Sequence, residues 1–264
     1  MRSLLAWLGE ALLEPLNHLG GVAMLTLAFL RRVFHRPFER AAFVAELQRI
    51  GYESINVVGL LGLFTGMVMV VQTGETMKRW GTEAYVSEGV ALVILRELGP
   101  VLAAFLVAGR IGSGIAAEIG AMAVSEQIDA MKSLGADPVK KLVVPKVLAG
   151  MVCLPLLAAL ADVIGILGGM VMAMSMLNVP PAFYFSRIQE EVTIGDFMSG
   201  FIKTIAFGGI ITMVACLYGL RTTGGTVGVG RSATQSVVMS CILILAADLI
   251  MTSALVAIFG SGRI

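Results

Sequence analysis

Five charged side chains interrupt stretches of this chain that are otherwise apolar: Arg96, Glu97, Asp162, Lys203 and Asp248. At the centre of a membrane-spanning helix each costs at least about 2.5–3.5 kcal/mol unless it is paired or hydrated. Both signs are present, so Arg96 or Lys203 can pair with Glu97, Asp162 or Asp248. Two uses follow from that chemistry. The charges form structural ion pairs, or they line a hydrated pathway or latch that switches conformation. The residue types leave both open.

A second constellation is Glu126-Gln127-Ile128-Asp129-Ala130-Met131-Lys132-Ser133-Leu134-Gly135-Ala136-Asp137-Pro138. Ile128, Met131 and Leu134 recur at helical spacing, Gly135 is a stop signal, and Asp137-Pro138 opens the next element. A short helix with polar flanks and an apolar stripe can dock in a groove of a soluble partner. The candidate coupling residues are Glu126, Ile128, Asp129, Met131, Leu134 and Gly135. A plain surface helix would carry the same pattern.

The elements that must position these groups are membrane spans. The chain has 264 residues, 57% hydrophobic and only 14% charged, where soluble domains carry about 25% charged residues. A span needs about 20 apolar residues, and five runs qualify: 53–74, 86–115, 147–177, 197–220 and 232–259. The expected fold is an all-α membrane protein of a single domain, 1–264. Residues 1–50 supply interfacial N-terminal helices, with amphipathic spacing clearest over 38–50. Residues 118–138 form the coupling segment, and Pro181 to Glu191 a short amphipathic piece on the opposite side. The first residues, broken by Glu10, Glu14 and Pro15, are too short and too charged for a signal peptide. Gly62/Gly66, Gly165/Gly169 and Gly112/Ala116/Gly120 are small-xxx-small sets that suit close helix packing within one chain or across a dimer seam.

Orientation follows from the basic residues flanking the runs. Arg2, Arg31, Arg32, Arg36, Arg40, Arg49, Arg110, Lys132, Lys140, Lys141, Lys146, Arg221 and Arg231 fall on one side, against Lys78, Arg79, Arg187 and Arg263 on the other. The first side is expected in the cytoplasm, with the N-terminus, and the C-terminus outside.

Several chemistries find no residues. The only histidines, His18 and His35, precede the spans, so Ser–His catalysis within the membrane is excluded. No H-E-x-x-H, G-x-S-x-G or Walker sequence occurs. Cys153, Cys216 and Cys241 are too widely spaced for a metal cluster, no cofactor is implied, and no basic stripe suggests nucleic acid. The glycine-rich stretch 221–231 follows a helix rather than a strand and lacks a P-loop lysine, so it is expected to be a flexible turn. Uphill transport would therefore need energy from a partner or an ion gradient.

The ordered set Arg96-Glu97-Leu98-Gly99-Pro100-Val101, Ala108-Gly109-Arg110-Ile111-Gly112, Ala117-Glu118-Ile119-Gly120, Glu126-Gln127-Ile128-Asp129-Ala130, Asp137-Pro138 and Pro145 resembles the MlaE (YrbE-type) permeases of bacterial MCE lipid-transport systems. Gly66-Met67-Val68, Gln72, the segment around Lys203 and Arg231-Ser232-Ala233-Thr234 extend the likeness over about residues 20–259. The resemblance implies a homodimeric, multi-pass permease of the inner membrane that is not itself an enzyme. Its partners would be a cytoplasmic ABC ATPase, a STAS-domain protein on that ATPase and a periplasmic MCE protein. Together they move phospholipid between inner membrane and carrier, in the service of outer-membrane lipid asymmetry. It also implies that Met67, Met69, Val70 and Gln72 contact lipid, for which flexible methionines are suited. Two rival classes are an ion-coupled secondary carrier using Asp162 and Asp248, and an intramembrane lipid-modifying enzyme using a carboxylate pair.

Overall fold

Lipid cannot satisfy backbone N–H and C=O groups, so a chain this apolar must satisfy them internally, within helices. The computed structural model describes residues 20–33 and 39–259, and every regular element among them is helical. The helices are α1 (20–33), α2 (Arg40–Ile50), α3 (Ile55–Trp80), α4 (Val86–Val93), α5 (Gly99–Val107), α6 (Ser113–Val124), α7 (Gln127–Ser133), α8 (Val144–Leu177), α9 (Pro181–Glu191), α10 (Ile194–Leu220) and α11 (Gly225–Phe259). Five continuous stretches are long and apolar enough to cross a membrane: Arg40–Trp80, Glu83–Val124, Val139–Leu177, Ile194–Leu220 and Gly225–Ala257. The chain is an all-α membrane protein with the expected five spans. The expectations for residues 1–19, 34–38 and 260–264, His18, His35 and Arg36 among them, lie outside the described residues.

The helices outrun the apolar stretches that announce them. Helix α3 continues past Gly74 through Glu75, Lys78 and Arg79 and stops only at Gly81, in the left-handed region at φ 68°. Helix α10 starts at Ile194 because Thr193 and Asp196 form a reciprocal capping box. The stretch 221–231 is mostly not a flexible turn. Gly224 and Gly225, at φ 85° and 68°, complete the reversal, and residues from Gly225 onward are already helix. Likewise α6 runs on to Val124, so the segment that leaves the span is shorter than 118–138.

In lipid, helix association rests on close van der Waals contact rather than on removal of apolar surface from water. The principal seam joins α3 to α8. A methyl group on Gly62 would strike the backbone of Ala161, and one on Gly66 the backbone of Gly165. Gly120 and Gly112 face side chains instead, those of Thr222 and Ile211. The small-residue sets therefore serve packing within the chain. Helix α10 is largely enclosed. Helix α11 exposes Val238, Ile242, Leu245 and Leu249 while burying Ser236, Ser240 and Ile244 against its neighbours.

The basic residues collect at one end of the bundle, with α1, α2 and α7. Helix α1 is described over residues 20–33, about 21 Å of helix. Its Gly21 lies against the Arg221 guanidinium and its Arg32 pairs with Asp137, so both ends of α1 rest on the basic end of the bundle. Leu25 and Phe29 face inward while Met24, Leu27 and Leu30 are exposed. At the far end, α9 occupies the expected residues. It is fastened by fully buried Tyr184 and by Arg187, 2.8 Å from Glu88 and over the Tyr85 ring.

Candidate functional site

The second span is one helical run broken by two π turns, Ile94–Leu98 and Ala108–Gly112. A third, Val139–Val143, leads into α8. Single π turns concentrate at functional sites, and these three fall on the Arg96-Glu97 motif, the Ala108–Gly112 motif and the residues after Asp137-Pro138. In the first, the Gly99 amide donates to Ile94 rather than to the regular i−4 carbonyl, and Pro100 has no amide to give. The turn is completed by a side chain from another helix: Lys203 Nζ of α10 donates to the Arg96 carbonyl at 3.1 Å.

Lys203 is 1% exposed and organises the charges at this depth. Its Nζ donates to Glu97 Oε1 at 2.8 Å and lies 3.0 Å from Asp248 Oδ1 of α11, an ion pair without the angular alignment of a hydrogen bond. Thr252 Oγ1 donates to the same Glu97 oxygen at 3.1 Å. Three spans are thereby tied at one cation. Arg96 turns the other way and donates through Nε to Asp196 Oδ1 at 2.6 Å. The second oxygen of Asp196 accepts from the Thr193 amide and hydroxyl, so the fully buried carboxylate closes the α10 cap and receives Arg96 at once.

Four of the five predicted charges are therefore joined through two separate pairings. Asp162 is not: its Oδ1 is buried without a hydrogen-bond partner, packed so closely on Gly99 that no β-carbon fits there. Asp196 was not among the predicted residues, although Thr193-x-x-Asp196 carried a capping signal. Glu97 and Arg96 keep 39% and 36% of their side-chain surface open on this chain. At the depth of a span that surface requires water, a polar headgroup or another protein surface.

The residues implied to contact lipid divide. Val70 is fully buried with Tyr184, Val86 and Val90, Met69 packs against that cluster, Met67 is half-buried, and Gln72 is exposed. The open face of α3 is instead the i+4 stripe Leu60, Phe64, Val68 and Gln72. The first three were missed because every residue of the run is apolar and no contrast marks a face.

The apolar stripe of the coupling segment also divides. Ile128 is 5% exposed and Met131 half-buried against the same core, but Leu134 is 86% exposed. The helix ends at Ser133, and the turn through Gly135, at φ 76°, carries Leu134 away from the other two. Glu126 starts α7 in the left-handed region at φ 59°, Asp129 pairs with Lys132 at 2.7 Å, and an open cavity of about 530 Å³ lies behind, lined by Ile128, Lys132, Asp137 and Leu220. Burial pushes the Asp137 carboxyl up, but the Arg32 guanidinium and the Val139 and Lys140 amides outweigh it and hold it below the usual range.

Five helices long and apolar enough to cross a membrane, with a charge network inside them and a short helix beyond them, define a multi-pass membrane protein. Residues 43–254 match the family model described as Permease MlaE, and the chain belongs to that family. It is 36% identical over 245 residues to a probable ABC transporter permease protein of Rickettsia bellii, covering 93% of this chain and 95% of that one. It is 33% identical over 220 residues to the intermembrane phospholipid transport system permease protein MlaE of Haemophilus influenzae, covering 83% of each. The chloroplastic protein TRIGALACTOSYLDIACYLGLYCEROL 1 of Arabidopsis thaliana is 36% identical over 208 residues, 79% of this chain and 59% of that one.

Proposed function

We propose that this chain is the transmembrane permease subunit of an ABC-type phospholipid transporter, exchanging lipid between the bacterial inner membrane and a periplasmic MCE carrier. The observation that carries the reading is α7: a short helix held between two spans, with Leu134 86% exposed at its tip. An exposed apolar side chain at the tip of a helix held between two spans supports a reading in which that tip is offered to a groove. Its occupant would be a cytoplasmic ABC ATPase, itself bound by a STAS-domain protein. The basic end then faces the cytoplasm, as its arginines and lysines favour, and α9 and the C-terminus face the periplasm and the MCE protein. Two copies would meet so that the exposed stripe of α3 and the open surfaces of Arg96 and Glu97 line a shared, partly hydrated lipid chamber. ATP-driven closure of the partner subunits would move α7 and reshape that chamber. The network around Lys203 holds the three spans in register while it does so. The chain itself hydrolyses nothing in this reading.

The test is a pull-down of the tagged protein from its native membrane in mild detergent, with mass spectrometry of proteins and lipids. The expected result is an ABC ATPase, an MCE protein and phospholipid together with this chain. Recovery of the chain alone and lipid-free would refute the assignment.

A further inference from the structure

Helix α7 is the tip of a hairpin whose legs are α6 and α8, and a compact group of four charges joins those legs to α2. Lys146 of α8 is 3% exposed and donates to both carboxylate oxygens of Glu118 on α6, each at 3.1 Å, and also to Glu46 of α2. Glu118 in turn accepts from Arg49, one turn further along α2. The second oxygen of Glu46 is buried without a hydrogen-bond partner. Two cations thus meet two carboxylates. The group as a whole is neutral, whereas loss of Lys146 leaves Glu46, with 13% of its side chain exposed, without its cation.

Its position is what matters. Glu118 lies on the leg entering α7 and Lys146 on the leg leaving it, so their contact makes the hairpin move as one body. The α2 side leads to α3 through Gly51, packed on Cys153 of α8, and the single turn Tyr52–Ser54. Arg110, on the second π turn, adds a bond to Ser54 Oγ at 2.9 Å at the same elbow. Beyond the elbow runs the exposed stripe Leu60, Phe64 and Val68. Flexible polar loops would absorb a push on α7; a packed, oppositely charged junction passes it on.

We propose that Glu118 and Lys146 are positioning residues that, with Glu46 and Arg49, transmit displacement of α7 to the α2–α3 elbow and so to the lipid-facing stripe of α3. This rests on the transporter reading above, and a wild-type control separates the two. The complex purified with its ATPase is reconstituted in liposomes, and ATP hydrolysis and movement of a fluorescent phospholipid are measured together. Glu118→Gln with Lys146→Met removes the bridge between the legs and leaves Glu46 and Arg49 balanced. The expected result is normal assembly, ATP hydrolysis within about twofold of wild type, and at least a tenfold loss of lipid moved per ATP. Glu46→Gln with Arg49→Gln, which frees α2 alone, is expected to give the same loss, whereas Lys146→Arg retains most coupling. Wild-type lipid per ATP in either paired variant would overturn the proposal. So would failure of both to assemble, because the group would then be a folding element. A wild-type complex that hydrolyses ATP without moving lipid would overturn the transporter reading and this inference with it.

Discussion

Lys203 donates to the Arg96 carbonyl at 3.1 Å, the group to which Pro100 cannot supply an amide. A lysine inside the membrane thus does two jobs: it completes the backbone of a π turn and pairs with both Glu97 and Asp248. Lys203→Met is expected to lower stability by about 3–5 kcal/mol, because two carboxylates lose their cation. Thermal unfolding in detergent measures this. Adding Glu97→Gln and Asp248→Asn to Lys203→Met should recover a large part of the loss. A single variant as stable as wild type would show that the network contributes nothing to holding the spans.

The α3–α8 seam makes a sharper steric prediction. Gly66→Leu places a side chain where the Gly165 backbone already lies and is expected to abolish accumulation of folded protein, while Gly109→Ala, with nothing within 4 Å, should be tolerated. Fluorescence-detected size exclusion of the two variants makes the comparison. Equal monodisperse yields would contradict the close approach of these helices.

At the tip of the hairpin, burial separates docking from folding. Leu134→Asp should leave stability within about 0.5 kcal/mol of wild type, as surface changes do, yet abolish co-purification of the ATPase. Ile128→Asp, at a 5% exposed position, should instead lower the melting temperature. Unimpaired ATPase binding by Leu134→Asp would remove α7 as the docking element.

The tie between α1 and the α7–α8 link should depend on pH. Asp137 is held below the ordinary carboxylate range by Arg32 and two backbone amides, against the upward push of burial. A depressed carboxylate stabilises the fold above its unfolded pKa of about 4 and loses that contribution as pH falls through the folded value. The mobility of a spin label attached beforehand to a cysteine introduced at Leu27 should therefore stay constant from pH 8 to about pH 5 and change only in stronger acid. In Asp137→Asn the acid-induced step should vanish. A transition near neutrality would contradict the pairing.

The spans and the charged residues within them could be read from the sequence because lipid imposes a coarse rule: about 20 apolar residues, with every charge an exception. Partner choice could not. Lys203 had three carboxylates of suitable sign, and only the rotation of α10 and α11 selects Glu97 and Asp248 over Asp162. The π turns were hidden for a related reason: their residues have ordinary helical propensity, and in the first of them the regular bond is lost at Pro100 and replaced by what Lys203 offers from α10. Leu134 fits the i+3 pattern of Ile128 and Met131 and departs from it because the helix stops one residue too early. Helix ends follow caps rather than hydropathy, as Thr193 and Gly81 show.

The most direct test of the central claim is phospholipid movement by the complex itself. The chain, purified with the ATPase and MCE protein proposed as its partners, is reconstituted in liposomes carrying a fluorescent phospholipid. Transfer between the liposomes and the MCE protein is followed with ATP, and again with a non-hydrolysable analogue. The account predicts transfer that requires ATP hydrolysis and is lost in Leu134→Asp. Transfer that ignores ATP but follows a proton gradient, or no transfer at all, would contradict it.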